Sequence, residues 1–233
     1  MKLRRLDQLL SSCGYCSRSE CKAWVKKGRI VISGRTASSS DQRVDPREVM
    51  IDELPVEAPD GLLALFHKPA GYACSHDRRE APLIYDLLPE RWLRRNPVVS
   101  SVGRLDRDTT GVLLLTDSGN LIQRWTSPKH KIPKVYEATL NGPLDSKAVD
   151  VFASGTLLLD GEQEACLPAK LEILDSTFIR LTLVEGRFHQ VKRMVSSQGV
   201  EVVTLHRVSF GSYDLKDLAL GSWRLLEHSL DTY

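Results

Sequence analysis

Between Leu62 and Val208 the sequence repeats one device: a short apolar or alternating run, a turn, and another run. "LLALFHK", "VVSSV", "GVLLLT", "KVYEATL", "AKLEIL", "FIRLTLV" and "VEVVTLHRV" carry strand patterns, whereas "LIYDLL", "NLIQRWT", "SKAVDVFAS" and "QVKRMVSSQ" carry helical spacing. Several of the strands follow one another directly. A doubly wound parallel sheet needs a crossover helix between strands, so this order predicts an α+β domain. Its sheet should be mixed, largely antiparallel and flanked by helices.

A smaller unit precedes it. "RLDQLLSS" places Leu6, Leu9 and Leu10 at helical spacing, and Cys13-Gly14 closes that helix. Ser17 and Glu20 form an S-x-x-E capping box for a second helix, which Gly28 is placed to end. "RIVISGRTA" alternates as a strand with a turn at Ser33-Gly34, and "VMID" offers another strand. "ELPVEAPDG", residues 53 to 61, has neither period and reads as a linker. The first 35 residues hold nine basic and two acidic side chains, a net +7 that leaves −5 for the rest of a chain whose total is +2. Such asymmetry is the footprint of a nucleic-acid-binding module on a more neutral body. Arg18, Lys22 and Lys26, spaced by four, line one helix face that could follow a phosphate backbone.

The match of "RLDQLL", Gly14-x-x-Ser17-Arg18, Gly28-x-Ile30-x-Ile32 and Gly34 resembles the S4 RNA-binding domain. It implies a small αL-like RNA-binding module, with its linker, over residues 1–58 and a catalytic domain over 59–233. Candidate RNA contacts in the module are Arg4, Arg5, Arg18, Lys22 and Lys26.

Composition sets the outer bounds. With 42% hydrophobic residues and no low-complexity tract, the chain supports a packed core. Five scattered cysteines and no secretory signal pattern point away from a disulfide framework and toward the cytoplasm. No run approaches the roughly 18 apolar residues of a membrane span. Cys13-x-x-Cys16 lacks two further ligands at zinc spacing, so these cysteines are expected to be packing residues and no metal site is expected. Trp24, Trp92, Trp125 and Trp223 are likewise expected to pack.

Chemistry concentrates in two segments. In "VGRLDRDTTGVLLLTDSG" a strand runs into the loop "RDTTG" and a second strand leaves it, so Asp106 lies where the chain turns. A carboxylate in such a loop serves either catalysis or the loop's own amides. Asp117 and Ser118 fit a capping role for the helix that follows, with Asp117 as the expected cap. In "LVEGRFHQVKRMVSSQG" Glu185, Arg187, His189, Gln190, Lys192 and Arg193 crowd the start of a short helix. Arg187, at a strand's end, is placed to meet a carboxylate from another loop; paired with Asp106 it would lower that group's pKa and orient it.

"HKPAGYACS", "GRLDRDTTGVLLLTDSG", "KVYEATL" and "EGRFHQVKRM", in this order behind an S4 module, resemble the RsuA-like pseudouridine synthases over nearly the whole chain. His67 departs from the family's usual Asn and stands beside the expected catalytic set. The resemblance implies that Asp106 is the catalytic carboxylate acting at the ribose, that Tyr136 lies against the flipped base and helps remove its C5 proton, and that Arg187 holds Asp106 ionised. Arg104 would stand near the flipped nucleotide and fill the vacated stack. Lys134, His189, Gln190, Lys192 and Arg193 would support the site or contact RNA. It further implies no cofactor, a monomeric enzyme, and ribosomal RNA or an assembling ribosomal particle as partner, with 16S RNA of the small subunit as target. Relatives acting on 23S RNA share every motif.

Other chemistries compete for these residues. Asp106 with Asp108 could form the paired carboxylates of a glycoside hydrolase, but the basic module would then have no role. Phosphoryl transfer lacks its G-x-x-x-x-G-K-[ST] loop. A non-catalytic S4-type assembly factor would share the module, yet would have no chemical reason to keep Asp106, Tyr136 and Arg187 together. Outside this context Tyr136 would read as a core tyrosine of a strand.

Overall fold

A computed structural model describes residues 3–226 of the chain. In the first unit, β1 (Arg4–Arg5) leads into α1 (Leu6–Ser12) and α2 (Arg18–Lys26), followed by β2 (Ile30–Ile32), β3 (Arg35–Thr36), β4 (Arg43–Val44), β5 (Val49–Ile51) and β6 (Leu54–Pro55). Strands β3-β2-β5-β6 form one antiparallel sheet, and β1 pairs with β4. Leu6, Leu9, Leu10, Cys13, Cys21 and Ile30 close its core, so Cys13 and Cys21 pack as small apolar groups. The Ser17 and Glu20 capping box forms in full: the Glu20 amide donates to the Ser17 hydroxyl and the Ser17 amide to the Glu20 carboxylate. Such a cap is worth about 1 kcal/mol. The expected linker starts later than its composition suggests, because Leu54 and Pro55 first complete a hairpin with Met50 and Ile51.

The larger unit begins with β7 (Leu63–Lys68) and runs through α3 (Glu90–Leu93), β8 (Ser100–Ser101), β9 (Thr110–Thr116), α4 (Gly119–Thr126), β10 (Lys134–Leu140), α5 (Lys147–Ala153), β11 (Lys170–Asp175), β12 (Phe178–Leu183), α6 (Gln190–Ser196), β13 (Val202–Phe210), β14 (Tyr213–Asp214) and β15 (Trp223–Leu225). Its sheet has the order β11-β12-β10-β13-β9-β7-β15, with β8 and β14 paired at the side. All pairs are antiparallel except β9 with β13, so the sheet is mixed and largely antiparallel. "VVSSV" shortens to a two-residue strand and "LIYDLL" to a 3-10 turn over Ile84–Leu87. Both are too short to show a period of their own. The strand Trp223–Leu225, which no alternation announces, covers the outer edge of β7.

Core residues fill both faces of the sheet. Ala64 and Phe66 of β7 point to one side with Leu113 and Leu115, and Leu63 and Leu65 to the other with Val112 and Leu114. This is the period-2 alternation of a strand buried on both sides. The two units touch. The turn at Gly14 and Tyr15 packs on residues 91–95, the Asn96 amide donates to the Ser12 carbonyl, and the Glu57 amide donates to the Tyr15 hydroxyl.

Candidate active site

A cavity of about 490 Å³ opens where β10, β13 and the loops before β9 and α6 converge, a size usual for small-molecule sites of ~300–1,000 Å³. One wall is the loop 102–109, held from beneath by Lys68. This side chain is fully buried at the end of β7, and its ammonium donates to the carbonyls of Pro69 (3.1 Å), Arg107 (3.2 Å) and Thr109 (2.9 Å). Burial pushes the Lys68 ammonium below the ordinary lysine value, although nearby Asp106 and Asp108 favour its charge. The Gly71 amide also donates to the Arg107 carbonyl, 2.7 Å. One segment distant in sequence, residues 68 to 71, thus fixes the backbone that follows Asp106.

Asp106 faces this cavity with its carboxylate partly exposed. Lys192 Nζ lies 3.2 Å from Oδ2, and His189 Nε2 lies 3.3 Å from Oδ1. Lys192 also donates to Asp108, 2.7 Å away. Burial opposes the Lys192 charge, but the hydrogen bond to Asp108 and the Asp106 charge together hold it above the ordinary lysine value. For Asp108 the same contact outweighs burial and keeps the carboxyl below the usual range. A glycosidase's general acid needs the reverse shift, so Asp108 does not suit that role.

The expected pairing of Arg187 with Asp106 is corrected. The Arg187 guanidinium turns away to Glu185 (3.1 Å) and Glu162 (3.5 Å), and it donates to the carbonyls of Glu164 (2.7 Å) and Ala165 (2.6 Å). Gln190 and Arg193 belong to this bracing too. Gln190 is buried against Glu185 and receives the Arg187 amide, while Arg193 binds Glu162 and the carbonyls of Asp160 and Phe188. Helical geometry separates the roles: His189 at the cap of α6 and Lys192 three residues on share one face, and Arg193 falls beside it. His189 is held in the left-handed region, φ 49°, and its ring stacks on Phe188 with centroids 3.8 Å apart.

The cavity floor is the sheet. Tyr136 and Lys134 share a face of β10, and Tyr136 is paired with Arg207 of β13. Val135 pairs with Ser209 while Tyr136 pairs with Arg207, which leaves Val208 as a bulge. That extra residue turns Arg207 to the face of Phe210, three positions on, where plain alternation would oppose them. Arg104 is exposed at the rim, and Phe188, 68% exposed, stands at the mouth. Lys68 and Arg207 carry no role in the sequence reading above. The available signal is a cation inside an apolar strand, in "LALFHK" and "TLHRVSF".

Elsewhere the basic residues of the first unit divide by their contacts, and one cap is reassigned. Arg4 donates to the Pro59 carbonyl and the Ser12 hydroxyl, and Arg5 pairs with Asp7 at 2.9 Å, so both have internal partners. Arg18, Lys22 and Lys26 are exposed. Asp117 does not cap α4; Ser118 does, and Asp117 instead binds buried Arg95 (2.8 Å) and the Leu62 amide (2.8 Å). Among the described residues no helix is long and apolar enough to cross a membrane.

An S4-like module ahead of a nucleotide-sized cavity with a carboxylate at its wall defines an enzyme that works on RNA. The RNA pseudouridylate synthase family matches residues 63–197 and the S4 domain matches residues 4–49. The chain is 38% identical to the ribosomal small subunit pseudouridine synthase A of Pasteurella multocida, over 95% of both chains. It is 37% identical to an uncharacterized RNA pseudouridine synthase of Bacillus subtilis, over 95% of this chain and 94% of that one. A crystal structure of a pseudouridylate synthase superposes with a TM-score of 0.66 at 36% identity, covering 96% of each chain. This chain belongs to the RNA pseudouridylate synthase family, enzymes that isomerise uridine to pseudouridine.

Proposed function

We propose that the protein converts a specific uridine of small-subunit 16S ribosomal RNA, free or in an assembling particle, to pseudouridine. Residues 1–58 serve as RNA-binding module and linker, and residues 59–233 as the catalytic unit, acting as a cytoplasmic monomer. The reading is carried by the Asp106 carboxylate between Lys192 and His189 at the wall of a cavity that has Tyr136 on its floor. Its target follows from relatives such as the Pasteurella multocida enzyme, whose name specifies the small subunit.

The chemistry balances within one nucleotide. The N1–C1′ bond breaks, uracil turns over, C5 bonds to C1′, the C5 proton leaves and N1 takes one up. No redox change or external group donor enters, so the reaction calls for no cofactor. Asp106 acts at the sugar, as nucleophile at C1′ or as base toward the C2′ proton, and either route uses the ionised carboxylate. Lys192 takes the place that Arg187 was expected to fill. Tyr136 offers a stacking face to a base extruded from RNA structure and stands near its C5 proton. Arg104 at the rim fills the space the base leaves, and Arg18, Lys22 and Lys26 track phosphates.

The test is incubation of unmodified 16S RNA with the protein and with Asp106→Asn. Pseudouridine forms with the first and is lost with the second; equal yields overturn the assignment. Pseudouridine maps of 16S and 23S RNA from cells with and without the gene check the target, and a site lost from 23S RNA alone refutes it.

A further inference from the structure

Among the described residues, two buried cations on the cavity floor stand outside the ion pairs that brace the rest of the site. Arg207 is 2% exposed. Its Nε donates to the Val112 carbonyl at 2.7 Å and its Nη1 to the Tyr136 hydroxyl at 3.4 Å, while Nη2 is buried without a hydrogen-bond partner. Its guanidinium carbon lies 5.3 Å from the Phe210 ring centroid and 5.9 Å from that of Tyr136. Lys134, also buried, donates to the Ile132 carbonyl at 2.9 Å and lies 5.5 Å from the same Phe210 ring. Among the described residues neither makes an ion pair. A buried charge without a partner is costly, and here two lie on one floor, so the fold keeps a positive potential there that an incoming group must answer.

The depth of the site identifies that group. Leu183, Leu205 and Phe210 line the floor beside the two cations, and Asp106 and Arg104 stand at the wall and rim. An RNA phosphate remains with the backbone at the surface; the part of an extruded nucleotide that reaches an apolar floor is its base. Uracil presents two carbonyl oxygens there, both acceptors. We propose that Arg207, with Lys134 beside it, binds the uracil carbonyls and stabilises the uracil anion released during isomerisation. This rests on the uridine-isomerase reading above and assigns the leaving-group half of its chemistry.

When the N1–C1′ bond breaks, its electron pair stays with uracil, whose charge spreads over N1, O2 and O4. The sugar is satisfied either by a bond from Asp106 to C1′ or by the C2′–H electron pair as Asp106 takes that proton. Uracil remains an anion until C5 returns its electrons to C1′. Fixed donors aimed at a site of developing charge need no reorganisation at the moment of reaction. Gly111 secures one of them: a Cβ there would fall 2.2 Å from the Arg207 carbonyl oxygen, so only glycine lets β9 and β13 approach this closely.

The experiment compares wild type, Arg207→Lys, Arg207→Met and Lys134→Met in single-turnover assays with saturating target RNA, measuring RNA affinity in parallel. Each RNA carries uridine or 5-fluorouridine at the target position, and loss of the original nucleotide is followed. Losing a preorganised donor should slow the uridine reaction roughly 10²-fold or more at unchanged RNA affinity. Arg207→Lys should recover part of the rate. Fluorine at C5 stabilises the uracil anion by itself, so the penalty should shrink on the fluorinated RNA. Lys134→Met leaves the Val112 bond intact and decides the matter if Arg207→Met does not fold. Equal penalties on both RNAs, wild-type rates in both Met variants, or a defect confined to RNA affinity, as a phosphate contact would give, each overturn the proposal. Failure of wild type to modify any RNA would instead defeat the isomerase reading itself.

Discussion

At the scale of single residues, the site separates charges that act from charges that brace. Lys192 touches the Asp106 carboxylate, whereas Arg187 ties Glu185 and Glu162 to the carbonyls of residues 164 and 165. Lys192→Met should therefore cut single-turnover rate while leaving the melting temperature close to wild type. Arg187→Met should lower thermal stability, by about 1–3 kcal/mol for unpairing the buried Glu185. The opposite pattern, measured by calorimetry beside tritium release from 5-tritiated uridine RNA, would reinstate Arg187 as the counter-ion. Lys134 supplies the pH dependence. Burial first, and then the charge of Arg207, lowers it from 10.5 to about 8, against an opposing pull from Glu185; Asp106 and His189 line the same cavity. Below about 8 the cation is present; from there to 10.5 the folded chain has lost a proton that the unfolded chain keeps. Stability should rise slightly through that window as a buried charge is relieved, while turnover falls. Lys134→Arg should remove the alkaline fall in turnover, and a profile unchanged by that substitution would exclude Lys134 as its source.

Elements position the site through backbone contacts that side-chain patterns do not announce. The parallel pair β9 and β13 meets at Gly111 and Arg207, with Gly111 at φ 115°. Gly111→Ala combines a conformation disfavoured for L residues with overlap against the Arg207 backbone. It should destabilise the domain by at least ~1–3 kcal/mol and depress turnover even at temperatures where it stays folded. Denaturant melts with parallel assays check this, and a variant of wild-type stability would show that the strands can part without cost. Apolar or alternating runs mark β7, β9, β10, β11, β12 and β13 in the sequence because each is longer than a single period. The Val208 bulge was not legible, since one extra residue alters no composition and only the partner strand reveals it. Counting by twos from Phe210 puts Arg207 on the opposite face, so alternation alone does not bring it to the cavity floor.

Across the whole molecule, the S4 unit is seated rather than tethered. Arg91 stacks over Tyr15 at 4.5 Å and pairs with Glu57 at 2.8 Å, Trp92 donates to Glu57 at 2.7 Å, and Arg95 donates to the carbonyls of Glu57 and Ala58. Gly14, at φ 77°, sits so close that a Cβ would lie 2.3 Å from the Arg91 carbonyl oxygen. Gly14→Ala should unseat the module, read as an increased radius of gyration in solution scattering and faster proteolysis near residues 53–61. Retention of the wild-type scattering profile would show that the interface tolerates the added atom. None of this contact was legible beforehand, because its participants, Tyr15, Glu57, Arg91 and Arg95, belong to no shared periodicity.

The sequence by itself determined the two units, the mixed sheet and the position of Asp106 in a loop between strands, because these follow from local periods and turn chemistry within a few residues. Only the tertiary structure decided which cation meets that carboxylate, which cations line the floor and how the module is seated. Those outcomes depend on a helix face, a bulge and a close backbone approach between segments about a hundred residues apart, and charge partnership is a property of distance in space rather than distance along the chain.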